Sequence, residues 1–253
     1  MTKILDAYLK SPLSGIAPWI LFSVLSTPGR FEIAVCVALG LAVLTLRVSE
    51  LRKMGVYALD VLGVVFFLVL AVMGLVFNDA TIGFLEVWAG ELTNIVLAVF
   101  VIGTIVVRRP FTLAYAKKEA PEEHWDSPLF LRINYVISGV WAGAFVFNAV
   151  MGFIGDAILH DPDNFWTAWV LQLAAIFFAI AFTEYYPDKA TGDAPTSWLE
   201  LFEWVPMFVL IAGIFGWVTD ALPDAAGIGM IAVGIVGNVL VSKLSPPKEE
   251  SAS

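Results

Sequence analysis

The chain has 253 residues, of which 59% are apolar and only 15% are charged, and its net charge is −9. Soluble domains are about 45–50% apolar and about 25% charged, so this composition argues against a soluble globular protein. The acidic balance also lacks the basic footprint that nucleic-acid-binding proteins carry.

The apolar residues are gathered into eight runs that contain few charges. Runs of this kind are typical of helices that cross a hydrocarbon core about 30 Å thick. The first run is short and contains Pro18. In chain order the predicted spans cover residues 13–25, 31–48, 56–77, 83–107, 133–157, 165–182, 204–221 and 225–241. The sequence therefore predicts an all-α fold: one polytopic transmembrane helical bundle over residues 1–245, followed by a disordered tail over 246–253.

The basic residues predict how this bundle is oriented. When the loops are assigned alternately to the two sides of the membrane, thirteen of the fourteen Lys and Arg residues fall on one side and only Arg30 falls on the other. Basic loop residues resist translocation, so the Lys- and Arg-rich side is expected to be cytoplasmic. Both termini are then cytoplasmic, which requires an even number of spans.

Two polar connectors lie on the predicted cytoplasmic side. The first contains the short amphipathic segment 111–118, in which Phe111 and Tyr115 are expected to face lipid and the lysines to face headgroups. A plain solvated connector is the alternative. The residues expected to bind anionic lipid headgroups are Arg108, Arg109, Lys117 and Lys118. The second connector, residues 184–203, is acidic, contains two prolines and is expected to be a surface loop.

A few polar side chains fall inside the predicted spans, where they are costly and often functional. Glu91 and Asn94 are three residues apart and so share one helical face, and Asn148 and Gln172 fall near mid-depth in two other spans. These four residues are the candidate substrate-binding site, as the lining of a polar cavity. The alternative is that they hydrogen-bond between helices and hold the bundle together.

Signals for catalysis or metal binding are poor. The sequence contains no P-loop, dinucleotide fingerprint, HExxH motif or nucleophile elbow. The two histidines, His124 and His160, are assigned to opposite sides of the membrane. The sequence therefore predicts no catalytic residue, no metal site and no cofactor.

Residues 10–150 carry a pattern of short motifs. It comprises Pro18 with Leu21 and Phe22, the basic connector 47–54, Asp79, the pair Arg109 and Pro110, and the run Pro121, Trp125, Leu131, Asn134, Trp141, Phe145 and Asn148. This part of the chain resembles the septation protein A family of bacterial inner-membrane proteins. The chain departs from the family pattern by adding about three spans after residue 160, and by an Arg-Arg-Pro junction where a Lys-Pro is expected. The resemblance implies a multi-pass protein of the bacterial inner membrane with a role in the cell envelope and no enzyme activity.

Two functions follow as hypotheses. The first is a non-enzymatic envelope protein that acts as a scaffold or binds partners. The second is a small-solute or proton-coupled transporter with a mid-membrane polar cavity around Glu91. The expected partners are membrane lipids, together with other membrane proteins or a second copy of the chain, and no nucleic acid is expected. A lipid-modifying enzyme is a third, less favoured hypothesis.

Overall fold

The structure, a computed structural model, describes residues 12–26, 29–53, 55–192 and 196–244. Within these ranges every regular element is a helix, and seven helices are long and apolar enough to cross a membrane. The protein is a multi-pass membrane protein. The fold class predicted from the apolar runs, a polytopic helical bundle, is thereby confirmed.

The helix bounds agree with the predicted runs to within a few residues at most ends. The helices are α1 Pro12–Leu25, α2 Phe31–Leu51, α3 Ala58–Val76, α4 Asp79–Val106, α5 Thr112–Glu119, α6 Pro128–Phe153, α7 Leu171–Thr191, α8 Val205–Val218 and α9 Asp224–Leu244. Short 3-10 turns precede α6 and α8, and π-helical segments at Ile154–Leu159 and Phe165–Val170 extend α6 and precede α7. At 14 residues, α1 is about 21 Å long and shorter than a hydrocarbon core. The count of eight spans and the cytoplasmic termini stay predictions.

The chain divides into two compact units, residues 1–163 and 164–253. In the first unit, α1, α2 and α3 pack around an aromatic core, in which the Trp19 and Phe66 rings stack 4.9 Å apart and Phe22, Phe31 and Phe67 are fully buried. In the same unit, α4 packs along α6, and α5 packs on α6. In the second unit, the main pairing is α8 against α9. The single domain over residues 1–245 stays a prediction.

Local sequence sets the ends of the two helices that build the candidate site. Asn78 caps α4, because its side chain accepts a hydrogen bond from the Thr81 N–H at 3.0 Å. Ser127 caps α6 in the same way, and Pro128 occupies the first turn, where its missing N–H costs nothing. The two helices run antiparallel: Trp88 in the first half of α4 contacts Phe153 at the end of α6, and Thr112, shortly after α4, bonds to Asn134 near the start of α6.

The connector predicted as a loop over residues 184–203 is partly helical. α7 continues through Pro187 to Thr191 and ends where Gly192 adopts the left-handed φ of 74°. The loop prediction is therefore wrong for residues 184–191. Pro187 removes only one bond from the helical ladder, and Gly192 provides the residue that most easily ends a helix.

We predict that His160 and Glu122 lie on opposite sides of the membrane, because the helical span Pro128–Leu159 separates them. In a Cys36→Ser background, His160→Cys is expected to react with a membrane-impermeant thiol reagent only from outside the cell. Glu122→Cys should react only after the membrane is opened. Both positions are exposed, so failure to label would not come from burial. Labelling of position 160 only from the cytoplasm would overturn the predicted orientation.

Candidate functional site

The candidate site lies where the first half of α4 meets the end of α6. Glu91 of α4 is only 7% exposed, and its carboxyl group lies directly over Gly152 of α6. A methyl group added at Gly152 would overlap with Glu91 Oε1. The absence of a side chain at Gly152 therefore makes room for the Glu91 carboxyl between the two helices.

Asp156 is the partner of Glu91 in this site. It lies four residues after Gly152, in the π-helical segment Ile154–Leu159, and its carboxyl group lies near that of Glu91. Glu91 Oε2 and Asp156 Oδ2 are both buried without a hydrogen-bond partner in the described part of the chain. A hydrogen bond between two carboxyl groups requires a proton, since two carboxylates so close repel each other. π-helical segments in α-helices often occur at functional sites. The pair can therefore hold one proton between α4 and α6.

Two amides lie one turn deeper along the same helices. Asn94 is 6% exposed and its Nδ2 donates to the Gly90 carbonyl in its own helix at 3.1 Å. Asn148 is 3% exposed, and its Oδ1 is buried without a hydrogen-bond partner in the described part of the chain. The structure thus brings three of the four candidate residues to one pair of facing helices.

Gln172 belongs to the second unit. Its Nε2 donates to the Thr167 carbonyl at 3.0 Å. That Gln172 lines the same site as Glu91 stays a prediction.

Beyond the amides, large side chains of α4 and α6 are buried. Leu97 and Val101 of α4, and Trp141 and Phe145 of α6, are all buried there. Near the start of α6, Thr112 Oγ1 of α5 donates to the Asn134 carbonyl at 3.1 Å. About two helical turns of large side chains therefore separate the polar groups at the two ends.

The amphipathic segment 111–118 forms α5 but does not place its aromatic residues in lipid. Phe111 and Tyr115 are 6% and 4% exposed and pack inside the protein. Tyr115 stacks on Tyr57 with ring centroids 3.9 Å apart, and its hydroxyl lies over Gly15 of α1. The lipid-facing prediction for Phe111 and Tyr115 is therefore wrong, because stacking and the Thr112 hydrogen bonds attach this face of α5 to the bundle.

The four basic residues expected at lipid headgroups fall into two pairs. Arg109 and Lys117 line a cavity of about 490 Å³ between the start of α3, the end of α4 and α5. Arg108, which adopts a left-handed φ of 60°, and Lys118 are exposed and do not line that cavity. The structure thus distinguishes residues that the sequence treats as one group.

Comparisons of the chain with protein-family models, with curated proteins and with solved structures find no match. The assignment of a site therefore depends on the geometry of this chain.

Gly152 and Asp156 are the residues that sequence reasoning missed. Both follow Asn148 at intervals of four residues, which places all three on one face of a helix. That spacing is a readable signal. It was hidden because Asp156 comes at the end of a predicted span, where an acidic residue is unremarkable.

Proposed function

We propose that this integral membrane protein is a non-enzymatic component of the bacterial inner membrane that serves the cell envelope through helix packing and through contacts with lipids or other membrane proteins. The observation that carries the proposal is the close packing of α4 against α6. Glu91 lies against Gly152 of the facing helix, and the amides of Asn94 and Asn134 bond within their own helices. Polar contacts of this kind hold helices together in lipid. The resemblance of residues 10–150 to the septation protein A family supports the same cellular location.

A proton-coupled transporter of small solutes is the second candidate, and the carboxyl pair favours it. Asp163 lies close enough to Asp156 to interact with it electrostatically, and Asp156 in turn reaches the buried Glu91. These three acids form a series from an exposed loop into the span. Proton relays in membrane proteins use series of this kind.

The variant Glu91→Gln separates the two proposals, because it keeps the shape of the side chain and removes only the titratable group. Cells that lack the protein are complemented with wild type or with Glu91→Gln, and envelope integrity is scored by detergent sensitivity and cell length. Purified protein is tested in parallel for proton uptake into liposomes that contain a pH-sensitive dye. The envelope proposal expects full complementation by Glu91→Gln. Proton uptake that disappears in Glu91→Gln, with no envelope defect in the deletion strain, would support the transporter instead.

The contact between Glu91 and Asp156 is expected to appear as energetic coupling. In a double-mutant cycle of Glu91→Gln and Asp156→Asn, the effects on unfolding should differ from additivity by about 0.5–1.5 kcal/mol. Reversible unfolding in mixed detergent micelles provides the measurement. A matched control cycle pairs Glu86→Gln with Asp156→Asn and is expected to be additive. Glu86 is on the same helix as Glu91, but it accepts a hydrogen bond from the Gly29 N–H. If the cycle of Glu91→Gln and Asp156→Asn were as additive as the control cycle, Glu91 and Asp156 would not interact.

A further inference from the structure

The cavity between α3, α4 and α5 combines an apolar wall with a basic rim. Its volume of about 490 Å³ is in the range of ~300–1,000 Å³ typical of ligand sites. The apolar lining includes Leu59 of α3, Phe100 of α4, and Leu113 and Ala114 of α5. Arg109 and Lys117 supply the positive charge. Such a cavity fits a ligand with a hydrocarbon part and an anionic part.

The two basic side chains of the cavity are available to an anion. Among the described residues, neither Arg109 nor Lys117 has a carboxylate within 4.0 Å. The Lys117 ammonium lies 5.0 Å from the centre of the Trp125 ring, and the Trp125 Nε1 donates to the Ala120 carbonyl. The lysine is thus held in place by a ring rather than neutralised by an acid.

Tyr57 also lines the cavity, and it carries a buried hydroxyl. The residue is 4% exposed, and its hydroxyl has no hydrogen-bond partner in the described part of the chain. Burial, followed by the charges of Asp60 and Glu119, raises the pKa of the Tyr57 phenol, so the group stays protonated. A buried hydroxyl without a partner is costly.

We propose that this cavity is a specific site for one anionic phospholipid, with its phosphodiester at Arg109 and Lys117 and the start of an acyl chain against Leu59, Phe100 and Leu113. A phospholipid headgroup and a soluble phosphate ester would present the same phosphate group to these two basic residues. The apolar wall favours the membrane lipid over the soluble compound. The cavity lies at the end of α4 where the basic residues gather, which is the depth of lipid headgroups. The proposal does not depend on either proposed function.

The test is native mass spectrometry of the purified full-length protein titrated with phosphatidylglycerol, phosphatidylcholine or glycerol phosphate. Wild type is expected to retain one phosphatidylglycerol in preference to phosphatidylcholine. Arg109→Gln with Lys117→Gln should weaken that binding about 30-fold, from the usual contribution of basic residues near anionic headgroups. Arg108→Gln with Lys118→Gln removes the same charge outside the cavity and should leave the binding within about twofold of wild type.

A third variant tests the cavity without changing its charge. Leu113→Trp adds bulk to the apolar wall and is expected to abolish retention of phosphatidylglycerol while thermal unfolding stays close to that of wild type. Equal losses in the two double variants, or no effect of Leu113→Trp, would overturn the proposal in favour of general surface attraction. Binding of glycerol phosphate as strong as that of phosphatidylglycerol would also overturn it, since the site would then take a soluble phosphate ester.

Discussion

Replacing Gly152 by valine is expected to lower the free energy of unfolding by about 1–3 kcal/mol, the usual cost of adding bulk to a packed interior. A Cβ at this position would overlap with Glu91 Oε1 and lie 2.7 Å from Glu91 Cδ and 3.1 Å from Glu91 Cγ. Rotation of Glu91 could relieve the first overlap, but it would break the contact with Asp156. The two γ-methyl groups of valine would still press on α4.

The control for this prediction is on the same helix. Gly143→Val changes a glycine whose Cβ would meet nothing within 4 Å, so it carries the same change in helix propensity without the collision. In the double variant Glu91→Ala with Gly152→Val, the carboxyl is gone and the loss should be smaller than the sum of the two single losses. Unfolding in mixed micelles measures wild type, the three single variants and the double variant. Equal stability of Gly152→Val and Gly143→Val would mean that Glu91 is not fixed against α6.

Replacing Gly234 by leucine is expected to separate α8 from α9, at a cost of about 3 kcal/mol or more. A Cβ at Gly234 would lie 2.7 Å from the backbone N and Cα of Leu210. Backbone atoms cannot rotate away as the end of a side chain can. The pairing therefore depends on a close approach of two helix backbones, which small residues permit in membrane proteins.

Gly229→Leu is the matched control for this second prediction, because it is on α9 and a Cβ there would meet nothing within 4 Å. The readouts are thermal unfolding of the full chain and protease resistance of the loop between α8 and α9. Gly234→Leu should unfold at lower temperature and lose protection, whereas Gly229→Leu should match wild type. Equal behaviour of both variants would contradict the pairing of α8 with α9.

The glycines of the last span illustrate how far sequence reasoning reaches. Their abundance predicts close helix packing, either within the bundle or at a dimer seam. The structure places Gly227 and Gly234 against α8 of the same chain, where added Cβ atoms would collide with Trp217 and Leu210. Composition alone could not decide between the two partners, because a glycine face suits any helix that approaches it closely.

The candidate site was predictable only in part. Glu91 and Asn94 stand out in sequence, because a polar group in an apolar run is expensive. Their partners on α6 do not stand out. Gly152 resembles the many other small residues of membrane helices, and Asp156 lies near a span end, where charge is ordinary. The site became visible only when α4 and α6 were placed side by side.

The sequence by itself determined the class of the protein and the positions of its helices. Long apolar runs must be helical in lipid, because every backbone polar group then bonds within its own segment. The tertiary structure alone decided which faces meet, how α5 buries Phe111 and Tyr115, and that Glu91 meets Asp156. The physical reason is that lipid tails are as apolar as a neighbouring helix. Hydrophobic periodicity therefore cannot distinguish a side chain that faces lipid from one that faces protein.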